Sequence, residues 1–211
     1  MNLRYIIGGI TLVVIFITLI LVGLLTYKSY FKKNYNFLNC FPFEINDRIY
    51  LKNNFLVQLI SLIFCMAFAF SYINIFASLN GTLFKIEVGI SIVITFLLLS
   101  IFMLRILSDK VHFIVAIAFV VISTLNSFYL GYVGFIEKFS FLYGALKYIL
   151  LGLGLIQLIL IVNPKLKNCM KLTKDEEGNL IRPKVFYLAF LEWMIIFINI
   201  AQVILLVTGM K

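Results

Sequence analysis

Apolar residues fall in six long runs separated by short polar stretches: Tyr5–Tyr27, Phe55–Leu79, Ile86–Leu107, Val111–Val133, Tyr143–Val162 and Val185–Val207. Each matches the roughly 20 residues a helix needs to cross the hydrocarbon core of a bilayer. Many positions are Ile, Val or Phe, which favour strands in water. In lipid a helix satisfies its own backbone hydrogen bonds and an open sheet edge does not, so the environment overrides that preference. The runs lack the alternation of lipid-facing and lumen-facing residues that a transmembrane barrel requires. The pattern predicts an all-α membrane protein, a six-transmembrane-helix bundle forming one integral domain over residues 1–211.

Two connections are short. Asn80-Gly81 turns the chain between spans two and three, where glycine can adopt a left-handed conformation. Ser108-Asp109 lies between spans three and four, where either side chain can cap a helix. Spans two, three and four are therefore expected to be antiparallel neighbours. Small residues recur every four positions at Ser61, Cys65 and Ala69 on span two, and at Ser123, Ser127 and Gly131 on span four. This spacing lets helix backbones approach closely in lipid, either inside the bundle or against a partner helix.

Composition sharpens the class. The 211 residues are 63% hydrophobic and only 13% charged, far from the balance of a soluble domain. The excess of 18 Lys+Arg over 9 Asp+Glu gives a formal charge of +9, but the basic residues flank apolar runs and do not form a stripe interleaved with stacking aromatics. They read as orientation signals and contacts for anionic headgroups, so no nucleic-acid partner is expected. With six spans, the loops at 28–54 and 163–184 share a side with the third connection. That side carries most of the basic residues; only Arg4, Lys85, Lys138, Lys147 and Lys211 fall opposite. The positive-inside rule then places these loops in the cytoplasm and both termini outside. Lys28, Lys32 and Lys33 act as a stop-transfer flank, and no small-residue cleavage site follows the first run, which is expected to remain in the mature protein. The pattern suits a prokaryotic plasma membrane.

The first loop is unusually apolar. Its segment Phe37–Ile45, with Phe41, Pro42 and Phe43 at the centre, is too short to span. It is expected to lie in the interface as a surface or shallow re-entrant segment broken at Pro42, serving as a tether, a gate or a docking element. Span five ends at Asn163-Pro164, a helix stop, and a basic loop follows.

An ionisable residue inside a span is costly and hence a candidate for function. Glu192 lies about 10 Å into span six at 1.5 Å per residue, and Asn199 and Gln202 follow within an arc of about 80°. Gln58, Arg105, His112, Asn126 and Gln157 are possible partners on other spans, and Arg105 is the expected ion-pair partner of Glu192. Three uses compete for this polar layer: interhelical hydrogen bonding, binding of a small polar solute or coupling proton, and contact with a lipid or partner helix.

Catalytic and cofactor motifs are sparse. The single histidine precludes H-E-x-x-H, the three cysteines lack metal-ligand spacing, and no nucleophile elbow or phosphate-binding glycine loop occurs. No catalytic residue, metal or cofactor is expected. The leading expectation is a non-enzymatic binding or transport component built around Glu192. The alternative is an accessory, assembly or immunity-type subunit that holds another membrane protein, and a lipid-active enzyme ranks third. Cys40 and Cys169 both fall in the loops assigned to the cytoplasm. A membrane-impermeant maleimide added to intact cells should therefore label neither, and ready labelling of either reverses the orientation.

Overall fold

The computed structural model describes residues 3–46, 55–77, 81–103, 109–136, 144–164, 166 and 184–209. Their backbone is all-helical: α1 (Leu3–Phe31), a 3-10 turn (Pro42–Asn46), α2 (Phe55–Ala77), α3 (Thr82–Met103), α4 (Asp109–Ile136), α5 (Leu146–Val162) and α6 (Tyr187–Gly209). Each α-helix overlaps one of the six apolar runs. Five are long and apolar enough to cross a membrane, and α5 is a shorter apolar helix of 17 residues, about 25 Å.

Sequence punctuation acts where expected. Asn163, after the last residue of α5, is extended with ψ 125°, the conformation imposed on a residue before proline. Gly81 has φ 144°, a value L side chains rarely adopt, and its carbonyl accepts the amide of Lys85 at 3.3 Å to open α3. Asn80 and Ser108, the other connection residues singled out above, lie outside the described residues.

Consecutive helices pack as antiparallel neighbours, α1 on α2 through to α4 on α5. The start of α1 meets the end of α2, where Ser71 Oγ donates to the Gly8 carbonyl at 3.2 Å, and the start of α3 meets the end of α4, where the Tyr129 hydroxyl donates to the Leu83 carbonyl at 2.9 Å. Helix α6 packs against α1, α2, α4 and α5 and occupies the middle. Its spanning window is 67% buried against 28% for α1, which marks α6 as the central element and α1 as a peripheral one. The outward faces carry exposed Ile10, Val14, Leu21, Met66, Phe70, Phe96, Leu125 and Ile159. So broad an apolar exterior is the surface of an integral, multi-pass membrane protein.

The first loop differs from the interfacial placement expected of it. Phe43, Glu44 and Ile45 are buried, and the turn Pro42–Asn46 packs on α1, α2, α3 and α6. Gly23 makes room for it on α1, because a Cβ there would stand 3.0 Å from Ile45. Covering the segment with protein satisfies its apolar side chains better than a headgroup layer would, and its irregular backbone finds partners within the chain.

Small residues set the closest helix contacts. A Cβ on Gly131 would stand 2.5 Å from the Leu151 side chain, whereas nothing lies within 4 Å of the corresponding position on Gly152. Gly131→Val is expected to destabilise the bundle by about 1–3 kcal/mol, the usual cost of overpacking. Gly152→Val should be close to neutral, and thermal unfolding of both variants in detergent provides the comparison.

Candidate functional site

Because α6 is enclosed, its polar side chains must find partners inside the bundle or go without. Glu192, Asn199 and Gln202 are all buried. Asn199 Nδ2 donates to the Ile195 carbonyl of its own helix at 2.8 Å, while its Oδ1 has no hydrogen-bond partner. The other two residues head separate clusters.

The first cluster lies where α1 ends and α6 begins. His112, three residues into α4, puts Nε2 3.6 Å from Glu192 Oε1, beyond hydrogen-bond distance, and neither carboxylate oxygen of Glu192 has a hydrogen-bond partner. The Glu44 carboxylate, brought in by the 3-10 turn, is near enough to act electrostatically on Glu192. Phe43 and Phe41 set their rings edgewise to the imidazole at 4.5 and 5.8 Å between centroids, closing this end of the cluster with apolar surface. Arg105, the expected partner of Glu192, lies outside the described residues; among the described residues a basic group beside Glu192 is His112.

A latch holds the loop in this position. Trp193, next to Glu192, donates its indole N–H to the Tyr35 hydroxyl and the Cys40 carbonyl, both at 3.0 Å. The Tyr35 hydroxyl in turn donates toward the carbonyls of Phe41 at 2.7 Å and Cys40 at 3.0 Å. Burial, reinforced by the Glu44 carboxylate, holds the Tyr35 phenol well above its ordinary pKa, so it remains a donor. The Phe186 amide adds a backbone bond to the Leu38 carbonyl at 2.8 Å. The residues flanking the loop's apolar centre thus tie it to the same helix that carries Glu192.

The second cluster lies further along α6. Gln202 bonds through Nε2 to Ser127 Oγ, which also accepts Gln157 Nε2 at 2.8 Å, and the Tyr72 hydroxyl reaches Gln202 Oε1 at 3.4 Å. Four helices meet in this set, α2, α4, α5 and α6. Asn126 lies beside Tyr72 and Glu87, and Glu87 is a fully buried carboxyl in the second turn of α3.

Glu87, Tyr72 and the inward position of Glu44 escaped the reading of the sequence. Glu87 is the second residue of the expected third span, Ile86–Leu107, and is not among the candidates singled out from the sequence. The helix starts earlier, at Thr82, which carries Glu87 inward. Ser91, four residues on and also buried, is the available signal that this face points into the bundle.

The remaining candidates are placed as follows. Gln58 is half-buried in the first turn of α2. Ser61 and Cys65 are buried and Ala69 half-buried on α2. Ser123 is buried with no hydrogen-bond partner for its hydroxyl. Ser127 and Gly131 face α5, through Gln157 and Leu151 respectively, so this small-residue face is covered by the chain itself. Among the described residues no three His, Cys, Asp or Glu side chains are grouped to hold a metal ion. Comparisons with family models, with curated proteins and with solved structures find no match to this chain.

The latch has a measurable consequence at Cys40, which is buried beneath it. With Cys65 and Cys169 replaced by Ala, maleimide labelling of Cys40 in detergent should be slow. Trp193→Phe removes the indole N–H and is expected to accelerate labelling roughly fivefold, the equivalent of about 1 kcal/mol for a hydrogen bond of this kind.

Proposed function

We propose that the protein is a small non-enzymatic binding or transport component of a plasma membrane, acting on a small polar solute or a coupling proton. The observation that carries this reading is Glu192, 0% exposed on the central helix, with neither oxygen hydrogen-bonded and the His112 imidazole 3.6 Å away. A carboxyl that served purely as structural glue would be expected to meet donors at hydrogen-bond distance, because leaving a buried polar atom unpaired costs about 1–3 kcal/mol and more for a charge. A carboxyl and an imidazole that almost touch are suited to exchanging a proton or receiving a donor from a solute, as intramembrane ionisable pairs do in pumps and transporters.

In this reading all six helices span, with α5 the shortest, and the termini lie outside. The Glu192–His112 end then faces the cytoplasm, and the tucked segment around Phe41 and Phe43 lies over it as a gate. Cys169 is the more informative reporter of orientation, since Cys40 is buried.

An accessory-subunit role is the second reading. It is favoured by the apolar groove on the outer side of α1 and α6, lined by Ile6, Gly9, Ile10, Val13, Ile204 and Val207, which has the form of a seat for a further transmembrane helix.

Native mass spectrometry of the protein released gently from its own membrane separates the two. The expected result is a lone chain or homo-oligomer carrying a defined small molecule or showing pH-dependent solute uptake on reconstitution, with Glu192→Gln losing the molecule or the pH dependence while its helical circular dichroism is unchanged. A stoichiometric membrane-protein partner, unaffected by Glu192→Gln, would replace this reading with the second.

A further inference from the structure

We propose that Glu87, Asn126 and Tyr72 form a second site, at the end of the bundle opposite Glu192, that holds a single positive charge: a proton or an alkali-metal cation. Three helices supply it. Glu87 comes from the second turn of α3, Tyr72 from the last third of α2 and Asn126 from the second half of α4. Their exposures are 0%, 0% and 1%, so water does not reach them.

Both carboxylate oxygens of Glu87 and both amide atoms of Asn126 lack a hydrogen bond of good geometry, although the two side chains are neighbours and Tyr72 lies beside both. These buried side chains gather a carboxyl, an amide and a phenol from three helices into one place that water does not reach. Hard oxygen donors of this type suit a proton or a small alkali cation and not a soft metal.

Charge balance points the same way. Among the described residues, the titratable groups that face Glu87 are Tyr72 on α2 and Tyr129 on α4, both phenols that are neutral when protonated. Lys85, two residues earlier on α3, is exposed, and among the described residues no basic side chain pairs with Glu87. An ionised carboxylate enclosed by protein and lipid without a counter-charge is strongly unfavourable, so the carboxyl is neutralised by a positive charge taken from outside the chain. Tyr72 also contacts Gln202, which joins this site to the amide and hydroxyl cluster in the middle of the bundle.

The site does not depend on the reading of Glu192, and Glu192→Gln serves as its control. The full-length chain in lipid nanodiscs is compared by infrared spectroscopy in choline chloride and in sodium chloride, as wild type, E87Q and E192Q. The expected result at neutral pH in choline is a protonated-carboxyl C=O band that E87Q removes and E192Q retains. A band unaffected by sodium identifies the proton as occupant; a band that sodium suppresses in wild type identifies an alkali cation competing for the same place. A Glu87 signal that is carboxylate in both salts and unmoved between them overturns the proposal. If E87Q fails to fold, Asn126→Ala leaves the carboxyl in place and removes its neighbour. It is expected to shift the band, and an unshifted band overturns the proposal equally.

Discussion

The enclosure of α6 by the other helices is the constraint on which the rest of the structure depends. Most of α6 is covered, and Glu192, Asn199 and Gln202 all lie on its covered side, so whatever they need must come from neighbouring segments. Gln202 obtains it from Ser127, Tyr72 and, through Ser127, Gln157, and in doing so ties four helices into one layer. Asn199 turns one amide proton back on its own helix. Glu192 is left with an imidazole at 3.6 Å. In a medium without water these differences are large, because unmet polar groups are not rescued by solvent.

Close packing in lipid rests on shape, since lipid tails are as apolar as the side chains they would replace. The bundle uses glycine at the tightest approaches. Gly131 admits Leu151 of α5, Gly154 admits the Phe128 ring of α4, and Gly23 admits Ile45 of the tucked loop. The last contact couples packing to chemistry: the space beside Gly23 lets the 3-10 turn settle inward, and the turn in turn brings Glu44, Phe41 and Phe43 to the end of the bundle that holds His112 and Glu192.

Polar residues consequently run from the first-loop end toward the opposite end, with a carboxyl near each terminus of the series and amides and hydroxyls between. Glu192 and His112 stand at one end and Glu87 and Asn126 at the other, with Asn199, Gln202, Ser127 and Tyr72 in the interval. Apolar residues would pack the same space at lower cost than these buried carboxyls.

Much of this was legible in the sequence. The six apolar runs forecast the six helices because hydrocarbon leaves a backbone few alternatives, and Asn163-Pro164 and Gly81 forecast their own turns because their torsional limits are local. Glu192, Asn199 and Gln202 could be placed on one face from helical period alone. The tertiary structure decided the rest. That His112 stands beside Glu192, that the Ser127 and Gly131 face is spent on α5, and that Phe43–Ile45 tucks inward all depend on contacts between segments far apart in the chain. Glu87 shows the limit most clearly: its residue type was visible, but its burial depended on where α3 begins and on Asn126 and Tyr72, two residues on other helices. Local period and composition determine that this chain forms helices for a membrane, while the partners of each buried polar atom follow only from three-dimensional packing.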